Sequence, residues 1–224
     1  MTHDLTVLPN PQAVAEEAAE RIADVARAAV AERGRFTFAV SGGSSPWMMF
    51  DELTRMHMPW GGTEIYQVDE RIAPNGDETR NLTHLRASLG DAIATAKIFP
   101  MPVEDADLDQ AVADYAATLP ERFDAIHLGL GPDGHTASLV PGDPVLEVQD
   151  QRVAVTANEY QGTRRMTLTY PALTDSDLLL WLVTGEEKQE ALGKLLEGDP
   201  SIPAGRVEAP VSEILADAAA ASEG

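Results

Sequence analysis

The chain has 224 residues, of which 44% are hydrophobic and 24% charged, a globular balance long enough to build one well-cored domain over residues 1–224. Its 16 basic and 37 acidic residues give a formal charge of −21 and a pI near 4.4, a field that repels nucleic acid and acidic membranes, so neither is expected as a partner. Cysteine is absent, which excludes disulfides, thiolate metal sites and a cysteine nucleophile and is compatible with a reducing, cytoplasmic setting.

The N-terminal stretch MTHDLTVLPN lacks the basic segment and apolar core of a signal peptide, and the longest apolar runs, such as Leu178 to Val183, are too short to span a bilayer. From Pro11 to Arg33, Val14, Ala18, Ile22, Val25 and Ala29 recur at spacings of three or four, which predicts an amphipathic helix ended by Gly34. Its acids, Glu16, Glu17, Glu20 and Asp24, read as a solvated face. A strand at Phe36 to Val40, a turn at Ser41 to Ser45, a helix opened by Pro46, a strand near Ile65 to Val68 and a long polar loop from Asp69 to Arg80 follow. Beyond a helix from about Leu82 come a strand at Lys97 to Pro100, a helix over Leu108 to Leu119, and strands at Phe123 to Leu130, Arg152 to Thr156, Met166 to Thr169 and Leu178 to Thr184. A helix over Glu187 to Leu196 and an Ala-rich tail, Ile214 to Ala221, read as helix, complete the chain. Strands alternating with helices predict an α/β fold with a doubly wound, mostly parallel, Rossmann-like sheet covered by helices on both faces.

Ligands of such sheets bind outside the carboxyl ends of the strands. Four chemically unusual segments begin where predicted strands end, at Ser41, Asp69, Gly129 and Thr184, which predicts one shared site. In Ser41-Gly42-Gly43-Ser44-Ser45-Pro46 the glycines let backbone N–H groups approach an anion at a helix N-terminus. A plain turn with Ser45 as N-cap accounts for that segment equally well. Asp69, Glu70 and Arg71 put two acids and a base at a strand end; Asn81 reads equally as a ligand or as the cap of the next helix. Basic side chains are scarce, so Arg71, Arg164-Arg165 and Lys188 are the candidates for a local anion site, with one of the two adjacent arginines facing it.

Gly129-Leu130-Gly131-Pro132-Asp133-Gly134-His135 contains a GxGxxG, but Pro141, Gly142 and Pro144 leave no room for the helix that a dinucleotide fingerprint requires. The loop instead presents Asp133 and His135 at a strand end, and a glycine-flanked imidazole with an ordinary pKa of roughly 6.5 suits proton transfer. No Gly-x-Ser-x-Gly elbow is present, and His3, His57, His84, His127 and His135 show no zinc-type pairing. His127, inside an apolar strand, reads as a satisfied core histidine.

Taken together, Ser41-Gly42-Gly43-Ser44, Asp69-Glu70-Arg71, Gly129 to Leu139 with Pro141-Gly142, Arg165-Met166-Thr167-Leu168-Thr169, Gly185-Glu186-Glu187-Lys188 and Pro203-Ala204 with Val207 resemble the 6-phosphogluconolactonase family of the pentose phosphate pathway, within the wider group that includes glucosamine-6-phosphate deaminase. The resemblance implies hydrolysis of 6-phospho-D-glucono-1,5-lactone to 6-phospho-D-gluconate by a carboxylic ester hydrolase that is a monomer or weak homo-oligomer and needs no metal or organic cofactor. It implies His135 as the base that activates water and Asp133 as its helper, with Ser41, Gly42, Gly43, Ser44, Asp69, Arg71, Arg165 and Lys188 holding the phosphorylated sugar. Within the group the deaminase motif carries a proton-handling Glu at the position five after His135, where this chain has Val140. A deaminase-isomerase and a sugar-phosphate sensor without turnover are the alternatives.

Overall fold

A computed structural model describes residues 3–222, with nothing described of the Ile93 side chain. In chain order the elements are β1 (Asp4–Leu8), α1 (Pro11–Arg33), β2 (Phe36–Val40), α2 (Ser44–Leu53), β3 (Thr63–Gln67), β4 (Asp69–Arg71), α3 (Asn81–Leu89), β5 (Lys97–Phe99), α4 (Leu108–Thr118), β6 (Phe123–Gly129), β7 (Val153–Val155), β8 (Arg165–Leu168), α5 (Tyr170–Thr174), β9 (Ser176–Val183), α6 (Gln189–Glu197), β10 (Ser212–Asp217) and α7 (Ala218–Ala221). Short 3₁₀ turns fill several of the connections. No helix among the described residues is long and apolar enough to cross a membrane.

Seven strands form one sheet in the order β1-β10-β9-β6-β2-β3-β5, and all of its pairings are parallel. This is the doubly wound arrangement expected from the alternation of elements. From β2 the chain winds outward through β3 to β5, then returns to lay β6 on the other side of β2. The sheet therefore has its topological switch point between β2 and β6, and the loops leaving these neighbours diverge to open a crevice. Side-chain alternation along β9 shows how both faces are closed. Leu178, Leu180 and Leu182 pack with α1, α2 and α3, whereas Leu179, Trp181 and Val183 pack with α4 and α6.

Helix α1 forms as its sequence dictates. Asn10 accepts a hydrogen bond from the Ala13 amide at 3.0 Å, Pro11 occupies the first turn, and Gly34 ends the helix at φ 73° with its N–H on the Val30 carbonyl. Its buried stripe is mostly alanine, which lets the helix axis approach the sheet closely.

Residues 4–8, for which the sequence suggested no element, form β1, an edge strand whose side chains are largely exposed and therefore carry no clear apolar alternation. Three sequence expectations need correction. The Ala-rich tail is not helical throughout, since β10 takes Ile214 to Asp217 into the sheet between β1 and β9, and helix begins only at Ala218. Burial of Ile214 and Leu215 on opposite faces overrides the helical preference of the alanines. Helix α2 starts at Ser44, two residues before Pro46. Asp69 to Arg71 is the strand β4 rather than loop, and it belongs to a second, antiparallel sheet in the order β4-β8-β7.

The small sheet depends on Glu70, which is fully buried. Its carboxylate accepts from the Gln67 side-chain amide at 2.9 Å, from its neighbour's amide at Arg71 (2.8 Å), and from the first two amides of α3, Asn81 (2.8 Å) and Leu82 (2.9 Å). The buried Arg80 guanidinium lies 3.0 Å away as a counter-charge and reaches on to the Ala73 carbonyl and the Glu104 carboxylate. Glu70 thus caps α3 from outside the helix and neutralises a buried cation. Glu70→Ala should lower the free energy of unfolding by about 3–5 kcal/mol, because Arg80 is left buried without its main counter-charge; urea titration of the variant against wild type measures this.

His127, in the middle of β6, is fully buried, but neither ring nitrogen has a hydrogen-bond partner among the described residues, so it is a core histidine and not a satisfied one. Burial pushes its pKa down to about 3. The unfolded chain binds this proton below about pH 6.5 and the folded chain does not, so stability is lost as pH falls from about 6.5 towards 3, by about 1.4 kcal/mol per unit for this group. In His127→Leu that contribution disappears: the gap in unfolding free energy between variant and wild type should grow in the variant's favour from pH 7 to pH 5.

Candidate active site

Loops following β2, β3, β6 and β9 converge at the carboxyl end of the large sheet around a cavity of about 310 Å³. Ser41, Gly42, Gly43, Ser44, Asp69, Arg71, Arg165, Lys188 and His135 line it, as do Asn81, Gln161, Thr184 and Glu187. The segments singled out in the sequence therefore meet, and of the residues expected in the site Asp133 alone stands outside the lining, behind His135.

One wall is the start of α2. Gly43 is the N-cap at φ 133°, and no side chain among the described residues caps the helix, so its first turn, which lines the cavity, is left without an internal acceptor at its N-terminus. Ser45 does not act as the cap; its hydroxyl pairs with the Thr184 hydroxyl at 3.0 Å and ties the β2 and β9 loops together. Ser41 Oγ is buried with no partner among the described residues. Gly42 packs so closely on the Asn81 side chain that a Cβ there would overlap it.

The small sheet supplies the opposite wall. Strand alternation turns Glu70 inward and Asp69 and Arg71 towards the cavity. Arg71 pairs directly across the ladder with Arg165, an unfavourable like-charge contact that a bound anion would offset. Arg71 is held by the Thr79 carbonyl (2.8 Å) and Asn81 Oδ1 (2.5 Å). Arg165 is buried, donates to the Tyr160 carbonyl (3.2 Å) and Gln161 Oε1 (3.1 Å), and approaches Asp69 Oδ2 at 3.9 Å. Its burial, opposed by Asp69 and reinforced by Arg71, holds its pKa below the ordinary guanidinium value. Arg164 turns the other way onto the Thr156 carbonyl, so of this pair Arg165 faces the cavity. Asp69 acts as a hub: its side chain accepts from Asn81 Nδ2 (3.1 Å) and the Ser138 hydroxyl (2.6 Å), its carbonyl also accepts from Asn81, and three loops are joined. Asn81 is therefore part of the site wall and not a helix cap.

The loop after β6 is folded on itself. Thr136 donates its hydroxyl to the Gly129 carbonyl (2.8 Å), the Gly131 amide to the His135 carbonyl (2.8 Å) and the Gly134 amide to the Gly131 carbonyl (3.0 Å). Gly134 has φ 79° and abuts Ile202, and Ala137 takes a left-handed φ of 52° in the turn that delivers Ser138 to Asp69. His135 Nδ1 lies 2.5 Å from Asp133 Oδ1. Burial pushes Asp133 up, but the hydrogen bonds and charge of His135 and the Tyr160 hydroxyl outweigh it and hold the carboxyl below its ordinary value. An ionised carboxylate only accepts, so Nδ1 carries a proton, and in the neutral ring the lone pair is on Nε2.

Tyr160, which no sequence signal marked, stands 3.2 Å from Asp133 Oδ2, with its ring edge-on to the imidazole and the Arg165 guanidinium 5.1 Å from the ring centre. Gln161, also unmarked, has φ 52° at the cavity rim. Both lie in a turn whose sequence lacks periodicity. No group of three His, Cys, Asp or Glu among the described residues could hold a metal ion.

Gly131 leaves no room for a Cβ, which would overlap His135 Nδ1 and Cε1. Gly131→Ala should therefore displace the imidazole, shifting the His135 ring resonances in NMR spectra while far-UV circular dichroism and the His127 signals stay as in wild type; unchanged His135 signals would contradict this packing.

A sequence profile of the glucosamine-6-phosphate isomerases/6-phosphogluconolactonases matches residues 9–216. The chain is 34% identical to the 6-phosphogluconolactonase of Synechocystis over 96% of this chain and 95% of that one. It is 33% identical to the 6-phosphogluconolactonase of Rhizobium meliloti over 87% and 88%. Among solved structures, a 6-phosphogluconolactonase from Shewanella baltica superposes with a TM-score of 0.87 at 25% identity, covering 96% of this chain and 98% of that one. A monomeric glucosamine-6-phosphate deaminase shares the fold, with a TM-score of 0.83 at 20% identity over 97% and 98% of the two chains. Parallel sheet, converging loops and matching sequence make this chain a member of the glucosamine-6-phosphate isomerase/6-phosphogluconolactonase family.

Proposed function

We propose that this chain hydrolyses 6-phospho-D-glucono-1,5-lactone to 6-phospho-D-gluconate in the oxidative pentose phosphate pathway, as a cytoplasmic enzyme that is monomeric or weakly associating. The observation that carries the reading is the His135–Asp133 pair, with the imidazole on the wall of a cavity that is also lined by Arg71, Arg165, Lys188 and the start of α2. Full-length relatives named 6-phosphogluconolactonase support the substrate.

In this reading the phosphate sits between the open N-terminus of α2 and the Arg71–Arg165 pair, with Lys188 completing the cationic surround. Binding energy spent on the phosphate, remote from the reacting carbon, holds the lactone carbonyl near His135. His135 Nε2 takes a proton from water as the water oxygen bonds to C1, giving a tetrahedral intermediate. That intermediate collapses with cleavage of the bond between C1 and the ring oxygen, and the imidazolium returns its proton to that oxygen. The products are the open-chain acid and free enzyme, with one water consumed. Asp133, kept ionised, fixes the tautomer and stabilises the imidazolium between the two transfers. The deaminase reading has no support at the position five after His135, where Val140 has no proton to move.

His135→Ala should lower kcat/KM by about 10²- to 10⁴-fold, the usual worth of a positioned acid–base group, with KM changed little. Arg165→Ala should act mainly on KM. The assay is NMR of freshly generated δ-lactone, corrected for spontaneous hydrolysis; near-wild-type turnover by His135→Ala would overturn the mechanism, and ammonia release from glucosamine 6-phosphate would overturn the substrate.

A further inference from the structure

The Tyr160 side chain touches both halves of the site. Its hydroxyl lies 3.2 Å from Asp133 Oδ2 and 3.2 Å from His135 Nδ1, its ring meets the imidazole edge-on at 5.0 Å, and the Arg165 guanidinium lies over its face at 5.1 Å. Its backbone carbonyl accepts from Arg165 at 3.2 Å, so side chain and main chain are both clamped to the same guanidinium. The segment is itself closed by a bridge between Tyr160 and Thr163 and by the strained Gln161 between them. Burial, together with the charge of Asp133, pushes the phenol pKa up, so the hydroxyl is protonated at neutral pH and acts as a donor.

The donor has a choice of acceptors. With Nδ1 already protonated and given to Asp133 Oδ1, the phenol proton goes to Oδ2. The Asp133 carboxylate is then gripped at both oxygens, and its plane can no longer swing about the Cβ–Cγ bond to release Nδ1–H. Were that proton to move to Nε2, the lone pair needed on the cavity side would be lost. We infer that Tyr160 is a positioning residue for the proposed lactone hydrolysis: its hydroxyl locks Asp133, and through it the Nδ1–H tautomer of His135, while its ring seats Arg165 for the anionic end of the substrate. The inference rests on the reading of His135 as the base that activates water.

The two functions of the side chain separate by mutation, because Tyr160→Phe keeps the ring and removes the hydroxyl, whereas Tyr160→Ala removes both. The half-buried ring sits on a surface turn, and the phenylalanine keeps the ring and loses only the volume of the hydroxyl. On δ-lactone, Tyr160→Phe is expected to lower kcat by about 3- to 30-fold with KM within twofold of wild type, and Tyr160→Ala to lower kcat at least as far and raise KM by at least fivefold. In the Asp133→Ala background, Tyr160→Phe is expected to have no further effect on kcat, since its action runs through Asp133. Long-range ¹⁵N–¹H spectra of the His135 ring supply a readout independent of turnover: one Nδ1–H tautomer in wild type and a mixture of tautomers in Tyr160→Phe.

A Tyr160→Phe variant with kcat within twofold of wild type and an unmixed tautomer would overturn the inference, as would equal losses in the presence and absence of the Asp133 side chain. If the wild-type protein failed to hydrolyse the lactone, the proposed function would fall, and the tautomer spectra would still decide whether Tyr160 positions His135.

Discussion

The buried carboxylate of Glu70 is the contact on which the geometry of the site rests. It stands in the middle of a three-residue strand, and period-2 alternation turns its neighbours, Asp69 and Arg71, towards the cavity while it points into the protein. Four hydrogen bonds and a buried guanidinium fix it, two of those bonds coming from the first amides of α3. Holding α3 in this way sets Asn81, which in turn binds Asp69, meets Arg71 and packs against Gly42. One ion pair inside the protein thereby registers the β2 loop, the β4 strand and the β6 loop against each other before any substrate arrives. Such preorganisation is what lets groups several loops apart act on one small molecule.

Electrostatics at two scales are reconciled by the same arrangement. The chain carries a formal charge of −21, yet its cavity is lined by Arg71, Arg165 and Lys188. Exposed acids beyond about 8 Å are screened at physiological salt, so the nearby guanidiniums and the α2 N-terminus decide what binds. Placing two arginines opposite each other in a ladder is unfavourable in isolation, and Asp69 relieves it only in part at 3.9 Å from Arg165. An anion of phosphate size would complete the balance.

Much of this was legible in the sequence because it followed from local patterns. Apolar periodicity located α1 to the residue, and short apolar runs marked the central strands β2, β6 and β9. The convergence of the Ser41, Asp69, Gly129 and Thr184 segments followed from strand ends alone. What escaped depended on contacts distant in the chain. Asp-Glu-Arg has no strand signature, and β4 exists because Arg80, Gln67 and the antiparallel partner β8 satisfy it. The alanines of the tail favour helix by themselves, and only the neighbours β1 and β9 make β10 a strand. Tyr160 and Gln161 sit in an irregular turn whose position over His135 and Arg165 is set by the small sheet, which no local spacing encodes.

The central claim is that the site is rigid because Glu70 locks α3 to β4. Native-state hydrogen exchange at the Asn81 and Leu82 amides tests it most directly, since both donate to Glu70. First-turn helix amides ordinarily exchange fast through local fraying. If the account is right, these two exchange only through global unfolding, with a protection free energy equal to that of the β6 core amides. Exchange near the rate of an open helix terminus, with the β6 amides still protected, would contradict it.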